Sequence, residues 1–247
     1  MHSLRLKSPF STMSLVVLAM LVGKGICFSQ YPAWFFQQGE LLCHSVVGYA
    51  NPSIYRDSAI VEAARNGAEI YARMKKTTLM GGQAFWATEV GTYWMGSNFR
   101  EEFDTSLILS GRTLNILDSY VSKNIVIVLL SDGSCSKETI RSMRVVKKQS
   151  KPDWVESLPA SREYYYGVGS APEYYFEKSS WTEAERLARR NLGRAVVSDV
   201  KALQKMGEQG QEIRDEQLQV TLSNIQIAAR WKDPQSSLYY VLARMRR

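Results

Sequence analysis

The side chains that could carry out chemistry in this chain are few, and their spacing argues against an active site. The sequence contains two histidines and three cysteines, and only His44, Cys43 and Cys135 would remain after removal of residues 1–29, fewer than the four ligands of a structural zinc site built from such residues. His44 follows Cys43 directly, and adjacent side chains of an extended segment point to opposite sides. A catalytic pair of these two residues is therefore disfavoured, and we interpret His44 as a histidine at a strand edge.

The remaining polar residues match no known catalytic or cofactor pattern. The acids Glu89, Glu101, Glu102 and Asp104 lack the spacing of a calcium loop, so we interpret them as a solvated acidic face. The segment Gly167-Val-Gly169 lacks the third glycine of a dinucleotide fingerprint. We therefore expect no catalytic residue, no cofactor and no metal, and we expect that the protein is not an enzyme.

Two cysteines are candidates for a disulfide bridge. Cys43 precedes the first predicted strand, and Cys135 follows the last strand of the first half of the chain. If these strands are antiparallel neighbours, the start of one lies beside the end of the other, and an exported chain meets oxidising conditions. The sequence therefore favours a Cys43–Cys135 bridge over two free thiols.

Aromatic clusters are the most unusual local feature of the sequence. Large aromatic side chains fill cores and are enriched in protein interfaces. They could therefore form a partner-binding surface, or they could fill the core and line a junction. The candidate interface residues are Tyr164, Tyr166, Tyr174, Tyr175, Phe85, Trp86 and Trp94.

The first 29 residues have the pattern of a signal peptide. Arg5 and Lys7 precede an apolar run at residues 13–23, which is too short to span a bilayer but suits an export signal. Small residues before Gln30 favour cleavage there. The alternatives are an uncleaved anchor or a lipid on Cys27, although Ile26 is a poor neighbour for lipidation.

Composition and charge exclude several classes of protein. Hydrophobic residues make up 45% and charged residues 22% of the chain, values that exclude disordered and collagen-like proteins. Residues 1–29 hold three basic residues and no acid, so their removal lowers the formal net charge from +7 to +4. A net positive charge this small is not typical of a nucleic-acid binder.

Short motifs recur at a nearly constant spacing, which indicates an internal duplication. The motif at Pro32–Trp34 recurs at Pro152–Trp154, 120 residues later, and the motif at Val47–Ala50 recurs at Val168–Ala171, 121 residues later. We therefore divide the chain into a signal peptide at 1–29, module one at 30–140, a linker at 141–150 and module two at 151–247.

Each module should contain a strand, a helix and a closing hairpin. The predicted first strands are residues 45–50 and 164–170, and apolar residues at helical spacing follow each of them. In the second helix, Ser180 and Glu183 form a capping-box pattern. The closing strands are predicted at 114–121 and 124–130, and at 225–231 and 238–243, where Arg230 falls on the polar side of an alternating pattern. The fold class is therefore α+β, with two similar strand-helix-strand-strand modules, each a helix on a small, mainly antiparallel sheet.

Module one contains an additional aromatic-rich insertion at residues 76–112. One interpretation is a pair of strands that completes the sheet of that module. The other is a projecting loop or ligand-facing surface, for which Phe85, Trp86 and Trp94 would supply the aromatic contacts.

The residues of module two resemble a known family. Trp154, the strand at 165–171, the alanine-spaced helix and the closing strand at 237–243 resemble the bacterial twenty-kilodalton surface-lipoprotein ("Lpp-twenty") family, which includes accessory proteins of the flagellar outer-membrane ring. The resemblance implies an envelope location, a helix-on-sheet module and non-enzymatic, assembly-forming roles. This chain departs from the family in its poor lipidation motif and its duplicated module.

These observations predict a non-enzymatic exported protein of the cell envelope, in the periplasm or on the periplasmic face of the outer membrane. Its expected role is assembly or protein–protein contact with envelope proteins or with itself, without nucleic acid and with membrane association only through partners or a lipid on Cys27. The alternative is a periplasmic module that binds a small ligand or glycan. A third candidate is a hydrolase, which would require a cleft that holds His44 beside a serine or an acid.

Overall fold

The computed structural model describes residues 31–41, 43–88, 91–109, 114–141, 143, 150–205 and 216–247. It describes only the backbone of residues 83–88, 91–97, 109, 200–205 and 216–218. The predicted signal peptide, Cys27 and most of the predicted linker at 141–150 lie outside the described residues.

The described chain contains both helices and antiparallel sheets, which confirms the α+β class. The helices are α1 Ala33–Phe36, α2 Arg56–Lys75, α3 Ser106–Leu109, α4 Lys137–Arg141 and α5 Glu177–Lys205. The strands are β1 Ser45–Ala50, β2 Lys76–Thr88, β3 Gly91–Ser97, β4 Arg100–Phe103, β5 Asn115–Val121, β6 Val126–Ser131, β7 Tyr164–Ala171, β8 Glu216–Ser223, β9 Gln226–Lys232 and β10 Tyr239–Arg246. Among the described residues, no helix is both long and apolar enough to cross a membrane.

The two halves of the chain repeat one topology. In the first half the sheet order is β1-β6-β5, and in the second half it is β7-β10-β9. The first strand of each half pairs antiparallel with the last strand, so that Ala50 faces Val126 and Ala171 faces Tyr239. The helices α2 and α5 begin 121 residues apart, which is also the spacing of the repeated sequence motifs. Two similar strand-helix-strand-strand modules are thus present.

A glycine on the first strand of each half lets the helix lie close to the sheet. A Cβ atom at Gly48 would overlap the backbone oxygen of Ala63 on α2, and one at Gly169 would overlap that of Ala184 on α5. Both glycines and both alanines are 121 residues apart. The repeated sequence motifs are therefore the residues at which helix and sheet come into contact.

A separate sheet joins the two halves. Its order is β3-β2-β4, and β8 of the second half pairs with β2 along residues 76–83. The insertion at 76–112 therefore does contain strands, but they do not complete the sheet of module one as expected. They form this joint sheet instead, because β8 supplies an antiparallel partner from the other half.

One hydrophobic core extends through both halves of residues 31–247. Strand β6 is buried at every position, as expected for an apolar run with both faces covered. Trp181 of α5 is fully buried and lies 5.0 Å from Phe35 of α1, measured between ring centroids. Helix α1 therefore covers the core between the two modules.

The start of α5 differs from the predicted capping box. The helix begins at Glu177, so Ser180 lies within its first turn instead of capping it. The Ser180 side chain is buried, and its hydroxyl oxygen accepts a hydrogen bond of 2.8 Å from the backbone N–H of Tyr174. Ser180 thus holds the loop before the helix.

Candidate functional site

Among the described residues, the three most exposed large apolar side chains, Ile54, Tyr175 and Tyr55, lie in the two loops that precede the long helices. These loops, residues 51–55 and 172–176, are called the pre-helix loops below. Ile54 is 98% exposed and Tyr55 75%, while Tyr175 is 94% exposed and Phe176 48%. The two pairs lie 121 residues apart, so the same exposed feature occurs at equivalent positions of both halves.

The two pre-helix loops lie at the same end of the molecule. Each follows the last residue of its first strand and leads directly into its helix. The ammonium of Lys178, near the start of α5, lies 3.3 Å from a carboxylate oxygen of Glu62 on α2. Two loops at adjoining helix starts can contact one partner together.

Internal contacts hold both loops in place. The backbone N–H of Tyr55 donates to the hydroxyl of Ser53 at 3.2 Å, and the N–H of Tyr174 donates to Ser180. The rings of Tyr175 and Phe176 meet edge-on with centroids 4.8 Å apart. Side chains held in this way lose less conformational entropy when a partner covers them.

The structure separates the aromatic residues that the sequence groups as interface candidates. Tyr174 and Tyr175 are exposed in the second pre-helix loop, whereas Tyr164 and Tyr166 are half-buried on β7 with ring centroids 6.2 Å apart. The guanidinium carbon of Arg244 lies 5.0 Å from the centroid of the Tyr164 ring. These two groups therefore belong to different surfaces.

The other aromatic candidates belong to the joint sheet. Phe85 and Trp86 lie on β2, and Trp94 lies on β3, where it pairs with Phe85. Their side chains lie outside the described part of the structure, so the role predicted for them stays a prediction.

A buried ion pair of the second half is hydrogen-bonded to a tyrosine of the first half. Arg230 of β9 and Glu185 of α5 are each 1% exposed, and their side chains approach to 2.7 Å. Arg230 also donates to the hydroxyl of Tyr49 on β1 at 2.9 Å, and Tyr49 donates to Glu185 at 2.6 Å. Burial, together with the charge of Glu185, raises the pKa of Tyr49 well above its usual value.

The burial of Arg230 corrects the predicted alternation of this strand. Arg230 was expected on the polar, outward side of β9. The pairing of β9 with β10 shifts at Ala228, because Leu242 faces Ala229 while Ala243 faces Ile227. This bulge reverses the phase of the strand, and the side chain of Arg230 enters the core.

Glu101 of β4, in the joint sheet, forms ion pairs with both long helices. It accepts two hydrogen bonds from Arg189 of α5, at 2.9 and 3.0 Å, and one from Arg73 of α2, at 3.2 Å. Burial would raise the pKa of this carboxyl, but the positive charge of Arg189, aided by Arg73, holds it below its usual value. Glu101 is therefore a structural anion between the two helices, not the solvated acid that the sequence suggests.

The candidate cysteines are joined in the structure. Cys43 and Cys135 form a disulfide with their Cα atoms 5.2 Å apart. The antiparallel register of β1 and β6 pairs Ser45 with Ser131. Cys43 lies two residues before this pair and Cys135 four residues after it, so strand pairing brings them to the same end of the sheet, as the sequence argument supposes.

A shallow cleft beside the disulfide contains His44. Its volume of about 30 Å³ is close to that of one water molecule. The backbone N–H of His44 donates to the Ser134 hydroxyl at 3.0 Å, and this hydroxyl donates to Asp132 at 2.7 Å. The contact uses the backbone of His44 rather than its imidazole, so this arrangement does not activate a nucleophile. Within the described part of the chain, no group of three or more His, Cys, Asp or Glu side chains is placed to hold a metal ion.

Comparisons with protein families, with curated proteins and with solved structures found no match for this chain. The geometry of the described residues is therefore the basis for a functional proposal.

The repeat in the sequence could have predicted the exposed apolar residues of the pre-helix loops. With a repeat spacing of 121 residues, Ile54 and Tyr55 occupy positions equivalent to those of Tyr175 and Phe176. Aligning the two halves position by position would have identified an apolar pair before each helix, where a solvent-facing turn is expected to be polar.

Proposed function

We propose that this chain is an exported, non-enzymatic protein of the cell envelope that acts in assembly or protein–protein contact through its two pre-helix loops. The observation that carries the proposal is the pair of exposed apolar residues at equivalent positions of both halves. Apolar side chains grouped in this way are typical of interaction sites. The resemblance to the Lpp-twenty family supports the same role.

The energetics of the loops suit a protein contact. Complete burial of a side chain such as Ile54 contributes about 1.5–3 kcal/mol, and tyrosine is among the residues that dominate binding energies. The loops are anchored by hydrogen bonds from their own backbones. Their contact surface is thus present before the partner arrives.

For a small ligand or glycan, the described residues offer the small cleft beside His44, while the side chains of Phe85, Trp86 and Trp94 lie outside the described part of the structure. The cleft beside His44, at about 30 Å³, is far below the 300–1,000 Å³ typical of ligand sites. The proposal therefore concerns a contact surface and not a pocket.

Affinity capture from the native envelope tests the proposed function. We expect wild-type protein to retain specific partners that the double variant I54S/Y175S loses. The matched control is I116S, because Ile116 is also an exposed apolar residue, 42% exposed, and pairs with Leu130 towards the other end of the sheet. Equal capture by wild type and I54S/Y175S would contradict the proposal.

The proposed location has its own test. N-terminal sequencing of the mature protein from the envelope should find Gln30 as the first residue. Recovery of the protein from the cytoplasm with an intact Met1 would contradict export, and it would leave the contact role of the loops to be judged by the capture experiment.

A further inference from the structure

The sheet of the first half is covered on both of its sides. A Cβ atom at Gly48 would overlap α2, so Gly48 faces this helix. Because strand residues alternate, Val47 and Tyr49 face the opposite side, which we call the outer face of the sheet. These two residues and their antiparallel neighbours Leu129 and Ile127 are fully buried.

The second half helps to bury this first outer face. The hydroxyl of Tyr49 donates to Glu185 of α5 at 2.6 Å. Trp181, Glu185 and Arg189 are spaced four residues apart, which places them on one side of α5, and all three are buried. The guanidinium of Arg189 reaches Glu101 of the first half at 2.9 Å. One side of α5 is thus a contact side between the halves.

The equivalent outer face of the second half is less covered. Gly169 faces α5, so Val168 and Ser170, the equivalents of the two outward residues of β1, lie on the outer side of β7. Ser170 is exposed, and Val168 is half-buried, as is Tyr240, which pairs with Ser170. Three positions that are closed in the first half are therefore partly or fully open in the second half.

Tyrosines occupy the rest of the outer side of β7. Tyr164 and Tyr166 lie on this side because they alternate with Gly167, which faces α5. Both are half-buried. Tyrosine combines a large apolar ring with a hydroxyl group and is enriched in protein interfaces. The second outer face therefore has the composition of a contact surface.

Helix α2 has an apolar stripe at the positions that α5 uses for contact. The equivalents of the three contact residues of α5, 121 residues earlier, are Ile60, Ala64 and Ala68. All three are half-buried, and the neighbouring Val61 is 67% exposed. The side that is closed on α5 is thus apolar and partly open on α2.

The polar network between the halves is replaced by small residues at the equivalent positions. This network consists of Tyr49, Glu185 and Arg230. The equivalent residues are Ser170, Ala64 and Ser119; Ser119 corresponds to Arg230 because each lies in the same row across its sheet as the glycine that faces the helix. All three positions change together. Contact between the second outer face and α2 would therefore leave no charge of this network buried without its partner.

We propose that copies of this chain associate head to tail, with the outer face of the second-half sheet of one copy covered by the α2 stripe of the next copy. This contact repeats between molecules the junction that the two halves form within one molecule. The two surfaces differ from each other, so the contact is heterologous and extends into a ring or a filament. It would also place the pre-helix loops of successive copies in one row.

Sedimentation velocity of the mature protein over a range of concentrations tests the association. We expect the average mass of the wild type to rise beyond that of a dimer. S170R places a charge on the outer face, and A68R places one on the α2 stripe. Each variant should weaken association by at least about tenfold. V61R gives a second measurement on the stripe if A68R does not fold, because Val61 is more exposed.

A mixture of the two variants identifies the geometry of the contact. S170R retains an intact stripe and A68R retains an intact outer face, so the mixture should form a complex of one copy of each and grow no further. The control S136R makes the same change at an exposed serine that precedes α4 and should associate as the wild type does.

The inference is independent of the proposed function, because the pre-helix loops lie outside both surfaces. The variant I54S/Y175S should therefore associate as the wild type does. A wild type that stays monomeric, association that persists in S170R, or a mixture of S170R and A68R that forms no complex would each overturn the inference. Loss of association in I54S/Y175S would overturn it as well, since the contact would then run through the loops.

Discussion

Replacement of Arg230 by methionine should lower the free energy of unfolding by about 3–5 kcal/mol. Arg230 donates to Tyr49, to the backbone oxygen of Phe35, to Gln38 and to Glu185, over distances of 2.7–3.0 Å. Both members of the ion pair are 1% exposed. The variant therefore leaves the carboxylate of Glu185 buried without its counter-charge, which is the main source of the expected loss.

Chemical denaturation of the mature protein measures this loss. The double variant R230M/E185L should recover a large part of it, because the stranded charge is then absent. The control is K151M, since Lys151 makes an equally short pair with Glu156 at the surface, at 2.6 Å, and its removal should leave stability near the wild-type value. A loss below about 1 kcal/mol for R230M, or no recovery in the double variant, would refute the argument.

Three further predictions concern the frame of the fold. G48A and G169A should each destabilise the protein by about 1–3 kcal/mol, because each new Cβ atom would overlap a helix carbonyl oxygen; equal stability of either variant and wild type in denaturant would contradict the close packing. The double variant C43S/C135S should lose up to about 4–5 kcal/mol, since the bridge spans 92 positions. Its melting temperature should fall below that of oxidised wild type and match that of reduced wild type; a value equal to that of the oxidised protein would contradict a stabilising bridge. Glu101 has a lowered pKa, so its ion pairs stabilise the fold fully above the ordinary carboxyl pKa of about 4.3. They lose this effect as the pH falls through the lower pKa of the folded state. The stability difference between wild type and E101Q should therefore shrink on acidification, and a constant difference would contradict the assignment.

Local patterns predicted most of the order of elements. Alternation and helical spacing located β1, which matches the predicted residues 45–50, and β7, which extends one residue beyond the predicted end. The repeat spacing of 121 residues predicted that the halves share one topology. These features depend on neighbouring residues and on close helix–sheet contact, both of which leave a direct pattern in the sequence.

Long-range pairing was less accessible from the sequence. The antiparallel pairing of β8 with β2 joins residues more than a hundred positions apart. Neither strand contains a sequence motif from which its pairing partner could be predicted. The bulge at Ala228 moved Arg230 from the predicted outer face into the core. A shift of one residue reverses every following side chain, and an alternating pattern cannot show where such a shift occurs.

The central claim is that the pre-helix loops contact a protein partner, and site-specific photo-crosslinking tests it most directly. A photoreactive phenylalanine analogue at Tyr175 or Ile54 should form a specific crosslinked product in the native envelope, and the same product should arise from both positions because the loops lie at one end of the molecule. The analogue at Ile116 should not form it. Crosslinks of equal yield and pattern from all three positions, or none from either loop, would contradict the account.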